Sequence, residues 1–266
     1  MNLFDSHAHY NDEKFDLDRD EIIKETLENN VSNFIVAGYS LGSSKKALEI
    51  VSKYSEAYAI VGISPNDIDE IKTEKDILNN INEIKNIIQN DYNKKIVAIG
   101  EIGLDYYWTK ENKEVQQEMF IKQIELANYF NLPIVIHTRD AVNDTLEILK
   151  KYPVVKKGIF HCCPLNRELV KEGLKLGYYI SLSGVITFKN AKNAKEIIEI
   201  IPDNKILIET DSPYLSPEPV RGKRNNCMNV KYVAQKIAEV KEKSIEEIAE
   251  ITNQNAKKIF EIMDKL

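Results

Sequence analysis

Short apolar runs rich in β-branched residues alternate along the whole chain with segments whose apolar residues recur at helical spacing. The first run ends in Phe4-Asp5-Ser6-His7-Ala8-His9, and residues 16–28 then carry Leu17, Ile22, Ile23 and Leu27 on one helical stripe, stopped by Asn29-Asn30. Residues 31–37, closed by Gly38, read as a second strand, 43–54 as a capped helix with Ala47, Leu48 and Val51 on its apolar face, and 57–63 as a third strand ended by Ser64-Pro65. Residues 74–89 form a long amphipathic helix through Ile77, Leu78, Ile81, Ile84, Ile87 and Ile88, and residues 96–101 a buried strand that closes on Glu101. The same beat continues: helix 113–130, strand 133–137 ending in His137, helix 140–150, strand 158–161 ending in His161, helix 166–176 stopped by Gly177. Strand 179–181, helix 191–200 and strand 206–211, which finishes in Glu209-Thr210-Asp211 before Ser212-Pro213, complete the alternation, and helices near 229–241 and 244–263 close the chain.

About eight short buried strands, each followed by a helix, predict an α/β fold of the TIM type, a (β/α)8 barrel forming one domain over residues 1–266. A doubly wound open sheet is the main competitor. It would gather its site at one switch-point crevice, whereas here ligand-capable residues end strands spread along the whole chain. No repeat, linker or low-complexity segment interrupts the pattern.

Composition narrows the function classes. With 43% hydrophobic residues in 266, the chain can bury a large core. Its formal net charge of −6 excludes a general electrostatic coat for nucleic acid, so any phosphate contact must be local. No apolar run approaches the roughly 20 residues that span a bilayer and no basic leader precedes an apolar core, so the expectation is a cytoplasmic protein with no membrane partner, monomeric. Cys162 and Cys163 are adjacent and Cys227 is remote, which gives neither a disulfide framework nor a Cys-x-x-Cys site; all three read as small buried residues.

The candidate chemistry lies at the strand ends. The four histidines, His7, His9, His137 and His161, all fall at the C-terminal ends of predicted strands, where barrel active sites are built. Glu101 and Asp211 end two further strands, and four imidazoles with two carboxylates are enough for two divalent metal ions. Glu101, between the two histidine groups in the chain, is placed to bridge them, and Asp211 to act as ligand and proton acceptor. Mixed nitrogen and oxygen donors suit Zn²⁺ and Mn²⁺, with Mg²⁺ possible where carboxylate and water dominate.

Asp5-Ser6-His7-Ala8-His9, Gly100-Glu101-Ile102-Gly103-Leu104-Asp105-Tyr106, Ile136-His137-Thr138-Arg139, Phe160-His161 and Glu209-Thr210-Asp211-Ser212-Pro213-Tyr214-Leu215, with Arg221-Gly222-Lys223-Arg224-Asn225, resemble, in order and over nearly the whole chain, the TatD family of metal-dependent deoxyribonucleases. The resemblance implies a TIM-type barrel, metal ligands at His7, His9, Glu101, His137, His161 and Asp211, and phosphodiester hydrolysis on DNA, often exonucleolytic. There are two departures. The family commonly has Gly-x-His-Pro after its third strand, where this chain has Gly62-Ile63-Ser64-Pro65, and Ser64 can hydrogen-bond but cannot carry positive charge. After Arg224-Asn225 the family often continues Glu-Pro, and this chain has Asn226-Cys227.

Around the mouth, Arg139 is a candidate bidentate phosphate contact, and Arg221, Lys223 and Arg224 form a basic cluster on the loop after the last strand. Tyr106, Tyr107 and Trp108 read either as a stacking platform for an unpaired base or as a cover on the barrel end, and Glu209, sharing a face with Asp211, as a residue orienting a ligand. The expected function is hydrolysis of phosphodiesters in DNA, in single strands or at ends, and possibly RNA, by a metal-activated water. The alternatives are an amidohydrolase acting on a small cyclic amide or ester, which often bridges its metals through a carboxylated lysine where Glu101 stands here, and a non-catalytic nucleic-acid-binding protein.

Overall fold

A computed structural model of the chain describes residues 1–108 and 111–263. Eight parallel strands form one sheet in sequence order: β1 (Leu3–Ala8), β2 (Val31–Ala37), β3 (Ala57–Val61), β4 (Ile96–Asp105), β5 (Ile134–Arg139), β6 (Gly158–Phe160), β7 (Tyr179–Leu182) and β8 (Ile206–Ile208). Between and after them lie α1 (Arg19–Glu28), α2 (Leu41–Val51), α3 (Glu74–Gln89), α4 (Lys113–Phe130), α5 (Val142–Lys151), α6 (Arg167–Lys175), α7 (Ala194–Ile200), α8 (Val230–Lys241) and α9 (Ile245–Phe260). The alternation is the TIM-type barrel that the hydrophobic pattern predicts.

Side chains and loops complete the closure between β8 and β1. Ser6 Oγ donates to Ile208 O at 3.0 Å, and the Asp5 carboxylate accepts from Thr210 N at 3.0 Å and from Thr210 Oγ1 at 2.6 Å. Beyond the strands, Asp211 N donates to His7 O and His9 N to Ser212 O, at 2.9 and 2.7 Å. Each bond satisfies a buried polar group that would otherwise cost free energy, and together they pull the segment after β8 against the end of β1.

The strands are buried on both faces. An inner core of Phe4, Ile35, Ile60, Val97, Val135 and Leu207 fills the barrel and is closed from below by Ile259 and Phe260 of α9, while the outer core lies between barrel and helices. Period-2 alternation carries this inner row upward to the mouth: Val135 leads to His137, Ile159 to His161, and Leu207 to Glu209 and Asp211.

Local chemistry explains where the helices start. Ser40, not Ser43, caps α2 in a reciprocal pair with Ser43, and Thr73 with Asp76 and Ser244 with Glu247 do the same for α3 and α9. The first helix is shorter than its hydrophobic stripe suggests. Residues 16–18 turn before α1, so Leu17 is fully exposed rather than part of the core, while Phe15 takes the buried place.

Candidate metal centre

The strand ends bring six donor side chains to one point at the mouth. His7 Nε2 and His9 Nε2 are 3.3 Å apart, and Asp211 Oδ1 lies 3.8 and 3.2 Å from them. Glu101 reaches both sides: its Oε2 is 3.5 Å from His7 Nε2 and 3.8 Å from His9 Nε2, and its Oε1 is 3.0 Å from His137 Nδ1 and 3.6 Å from His161 Nε2. His137 Nδ1 and His161 Nε2 are 3.4 Å apart. Donors bound at about 2.1 Å in a tetrahedron stand about 3.4 Å from one another, so both groups are spaced to share an ion.

Three backbone features accompany this convergence. The register between β4 and β5 slips between Ile99 and Ile102, and within that irregularity Glu101 turns into the mouth while the strand continues to Asp105. Gly103 permits the close approach of the two strands, because a Cβ there would sit 2.0 Å from His137 O. Asp211, three residues beyond β8, holds a left-handed φ of 56°, a conformation that Asp tolerates better than most residues and that recurs at functional sites.

Three of the four imidazoles, those of His9, His137 and His161, are fixed from behind. With its proton on Nδ1, His9 donates to Ala37 O at 3.1 Å, leaving Nε2 as the donor toward the site. His161 Nδ1 lies 3.2 Å from Glu209 Oε1, which also accepts Cys162 N at 2.7 Å. His137 turns the other way: Nε2 bonds Asp105 Oδ2 at 2.9 Å, so Nδ1 faces Glu101. Carboxylates in this position fix tautomer and ring orientation and raise ligand basicity.

Electrostatics favour cations here. Burial alone would raise the Glu101 carboxyl, but the imidazoles of His161, His137 and His7 override it and hold that carboxyl well below the usual range. Asp211 behaves alike: burial opposes ionisation and the His9 hydrogen bond wins. Burial pushes His161 and His137 down, yet Glu101 with Glu209 raises His161 far above its ordinary value, and Asp105 with Glu101 raises His137. His7 is lowered, by burial and by the neighbouring His161. Four buried or nearly buried carboxylates, Glu101, Asp105, Glu209 and Asp211, thus stand among nitrogen donors, and such a field draws either protons or metal ions. The donor set fits divalent metal, and Glu209 Oε2 and His7 Nδ1 are buried without a hydrogen-bond partner among the described residues.

The family model for TatD related DNase matches residues 4–261. The chain belongs to the TatD family. YabD of Bacillus subtilis (strain 168), an uncharacterized metal-dependent hydrolase, is 44% identical over 261 residues, covering 98% of this chain and 99% of its own. YcfH of Escherichia coli (strain K12), likewise a metal-dependent hydrolase, is 34% identical over 266 residues, 98% and 97% of the two chains. The crystal structure of YjjV, the TatD homolog from Escherichia coli K12, matches the fold with a TM-score of 0.89 at 24% identity, over 98% of each chain. The protein is therefore a metal-dependent hydrolase of the TatD family.

A cleft of about 930 Å³ opens above the TatD donor cluster. Arg139 and Trp108 line it: the Arg139 guanidinium lies 3.7 Å from the Tyr107 ring centroid and 5.4 Å from that of Trp108. Tyr106 does not join them. Its ring is buried and its hydroxyl donates to Asp144 Oδ2 at 2.7 Å, so the exposed aromatics are Tyr107 and Trp108. The basic cluster is dispersed rather than gathered on the cleft, and none of its three side chains lines it. Arg224 forms a two-pronged pair with Asp18 at 2.9 and 2.5 Å and also donates to Lys14 O. Arg221 lies over the Phe188 ring at 3.8 Å, and Lys223 is exposed. Ser64 is buried in the turn after β3, its Oγ accepting Asn66 N, and its neighbours Pro65 and Asn66 reach the cleft instead.

Asp105 carries no role in the sequence analysis. The apolar run that ends at Glu101 hides it, although Asp105 follows in the same motif and lies within β4. Replacing Asp105 by Ala should weaken metal affinity by about 10–100-fold while leaving the fold intact. Titration of the metal-free protein with Mn²⁺ checks this, and affinity equal to wild type would free His137 from dependence on Asp105.

Proposed function

We propose that the protein hydrolyses phosphodiester bonds in DNA, at strand ends or in single strands, using two divalent cations. What carries this reading is Glu101, whose two carboxylate oxygens face different imidazole groups and so suit a bridge: His7, His9 and Asp211 with Oε2, and His137 and His161 with Oε1. Ions bound there would supply Lewis acidity at a phosphoryl oxygen and a more acidic water.

The chain's own residues would do the rest. The Asp211 carboxylate, kept ionised against burial by His9, accepts a proton from the attacking water. Arg139 holds a phosphate oxygen through a guanidinium already oriented by Tyr107, which reduces the side-chain freedom lost on binding. Trp108 offers a flat face for a base, and Leu165, Val185 and Leu215 give the cleft an apolar wall that excludes water around it. Zn²⁺, Mn²⁺ and Mg²⁺ all suit parts of this donor set.

The test is a substrate panel. The chelated protein, reloaded with each metal in turn, is offered a labelled single-stranded oligonucleotide and a set of cyclic amides and esters. Metal-dependent cleavage of the oligonucleotide alone is expected, and turnover of the amides with an untouched oligonucleotide would move the protein to amide hydrolysis.

A further inference from the structure

We infer that the cleft takes one phosphodiester at a time, at a strand end or in a small diester, through one guanidinium contact, and that a polynucleotide does not run along it. This rests on the phosphodiester reading above and narrows its substrate class.

Surfaces that bind a strand irrespective of sequence line its backbone path with cations. Here, among the described residues, Arg139 is the one Lys or Arg that lines the cleft. Of the other basic residues expected nearby, Arg224 is engaged by Asp18, Arg221 lies over Phe188, and Lys223 is exposed outside the cleft lining. The β3–α3 segment supplies the opposite charge: Asp69 lines the cleft beside Asn66, and Asp67 and Glu70 stand exposed in the same segment. A strand continuing over this wall would bring successive phosphates against carboxylates, and such like-charge juxtaposition is how interfaces reject partners. Size agrees with the charges, since about 930 Å³ lies within the range of roughly 300–1,000 Å³ typical of pockets for small ligands. One anchored phosphate and one planar group on Trp108 satisfy what the mouth offers.

The test compares a dinucleoside monophosphate with a long single-stranded oligonucleotide, as kcat/KM against salt with the Mn²⁺-loaded protein. The long strand should show a log–log slope near the value of about 0.7 that one phosphate contact on a single strand gives, and the dinucleoside monophosphate, which carries no condensed counterions to release, a weaker one. Arg139→Gln should raise KM for both by about 10–100-fold, as for a lost hydrogen bond to a charged group, and flatten the slope for the long strand. Asp67→Asn with Glu70→Gln, both exposed in the β3–α3 segment and outside the cleft lining, should improve the long strand several-fold and leave the dinucleoside monophosphate unchanged. A slope for the long strand of about two or more, as several phosphate contacts give, would overturn the inference and leave phosphodiester hydrolysis standing. So would an unchanged KM in Arg139→Gln, or no gain for the long strand in the acidic-wall variant. Failure to cleave either substrate would overturn the phosphodiester reading itself.

Discussion

Glu101→Ala should lose about a thousandfold or more in turnover of a phosphodiester, equivalent to roughly 4 kcal/mol, and should hold less metal. Among the described donors Glu101 is the carboxylate that reaches both imidazole groups, with Oε1 3.0 Å from His137 and Oε2 3.5 Å from His7. Without it, two cations would face one another with one anion fewer between them, and at these separations Coulomb energies amount to several kcal/mol. Glu101→Gln keeps the shape and removes only the charge, so a similar loss in both variants assigns the effect to the carboxylate rather than to a cavity. Elemental analysis beside the assay decides the matter, and full metal content with full turnover in either variant would remove Glu101 from the centre.

Asp211→Asn should separate chemistry from metal binding. An amide cannot accept a proton at neutral pH, so kcat should fall by about 10²–10⁴-fold. The fold should survive, because Asn tolerates the left-handed backbone at this position as well as Asp does, and the 2.9 Å bond from residue 211 N to His7 O uses only main chain. An amide oxygen can still lie near His9, so much of the metal should remain. Turnover close to wild type in a protein of unchanged metal content would take the proton-acceptor role away from Asp211.

Regular alternation made the barrel readable. Strand β2 and helices α3 and α4 occupy the residues their patterns predict, because each element's period matches the face it buries. All four histidines lie at or just past the C-terminal ends of β1, β5 and β6, since an inward row of period 2 that is apolar below becomes ligating at the mouth. Departures from the regular period were not readable. The register slip that turns Glu101 inward and carries β4 on to Asp105 leaves no trace in hydrophobicity, so the pattern gives Asp105 no role. Leu17 fits a helical stripe, yet the turn at 16–18 sets it in solvent. Arg224 pairs with Asp18, far away in sequence, and no local pattern announces a partner at that distance. Tyr106, Tyr107 and Trp108 are neighbours in sequence, and Asp144 and Gln117, on α5 and α4, hold the Tyr106 hydroxyl inside the protein.

A carboxylate-bridged pair of cations is the central claim, and Mn²⁺ titration of the metal-free protein, followed by electron paramagnetic resonance, tests it most directly. The account predicts two ions per chain and a signal from two magnetically coupled Mn²⁺ ions that is lost in Glu101→Ala. One ion per chain, or two uncoupled ions whose signal is indifferent to Glu101, would contradict it.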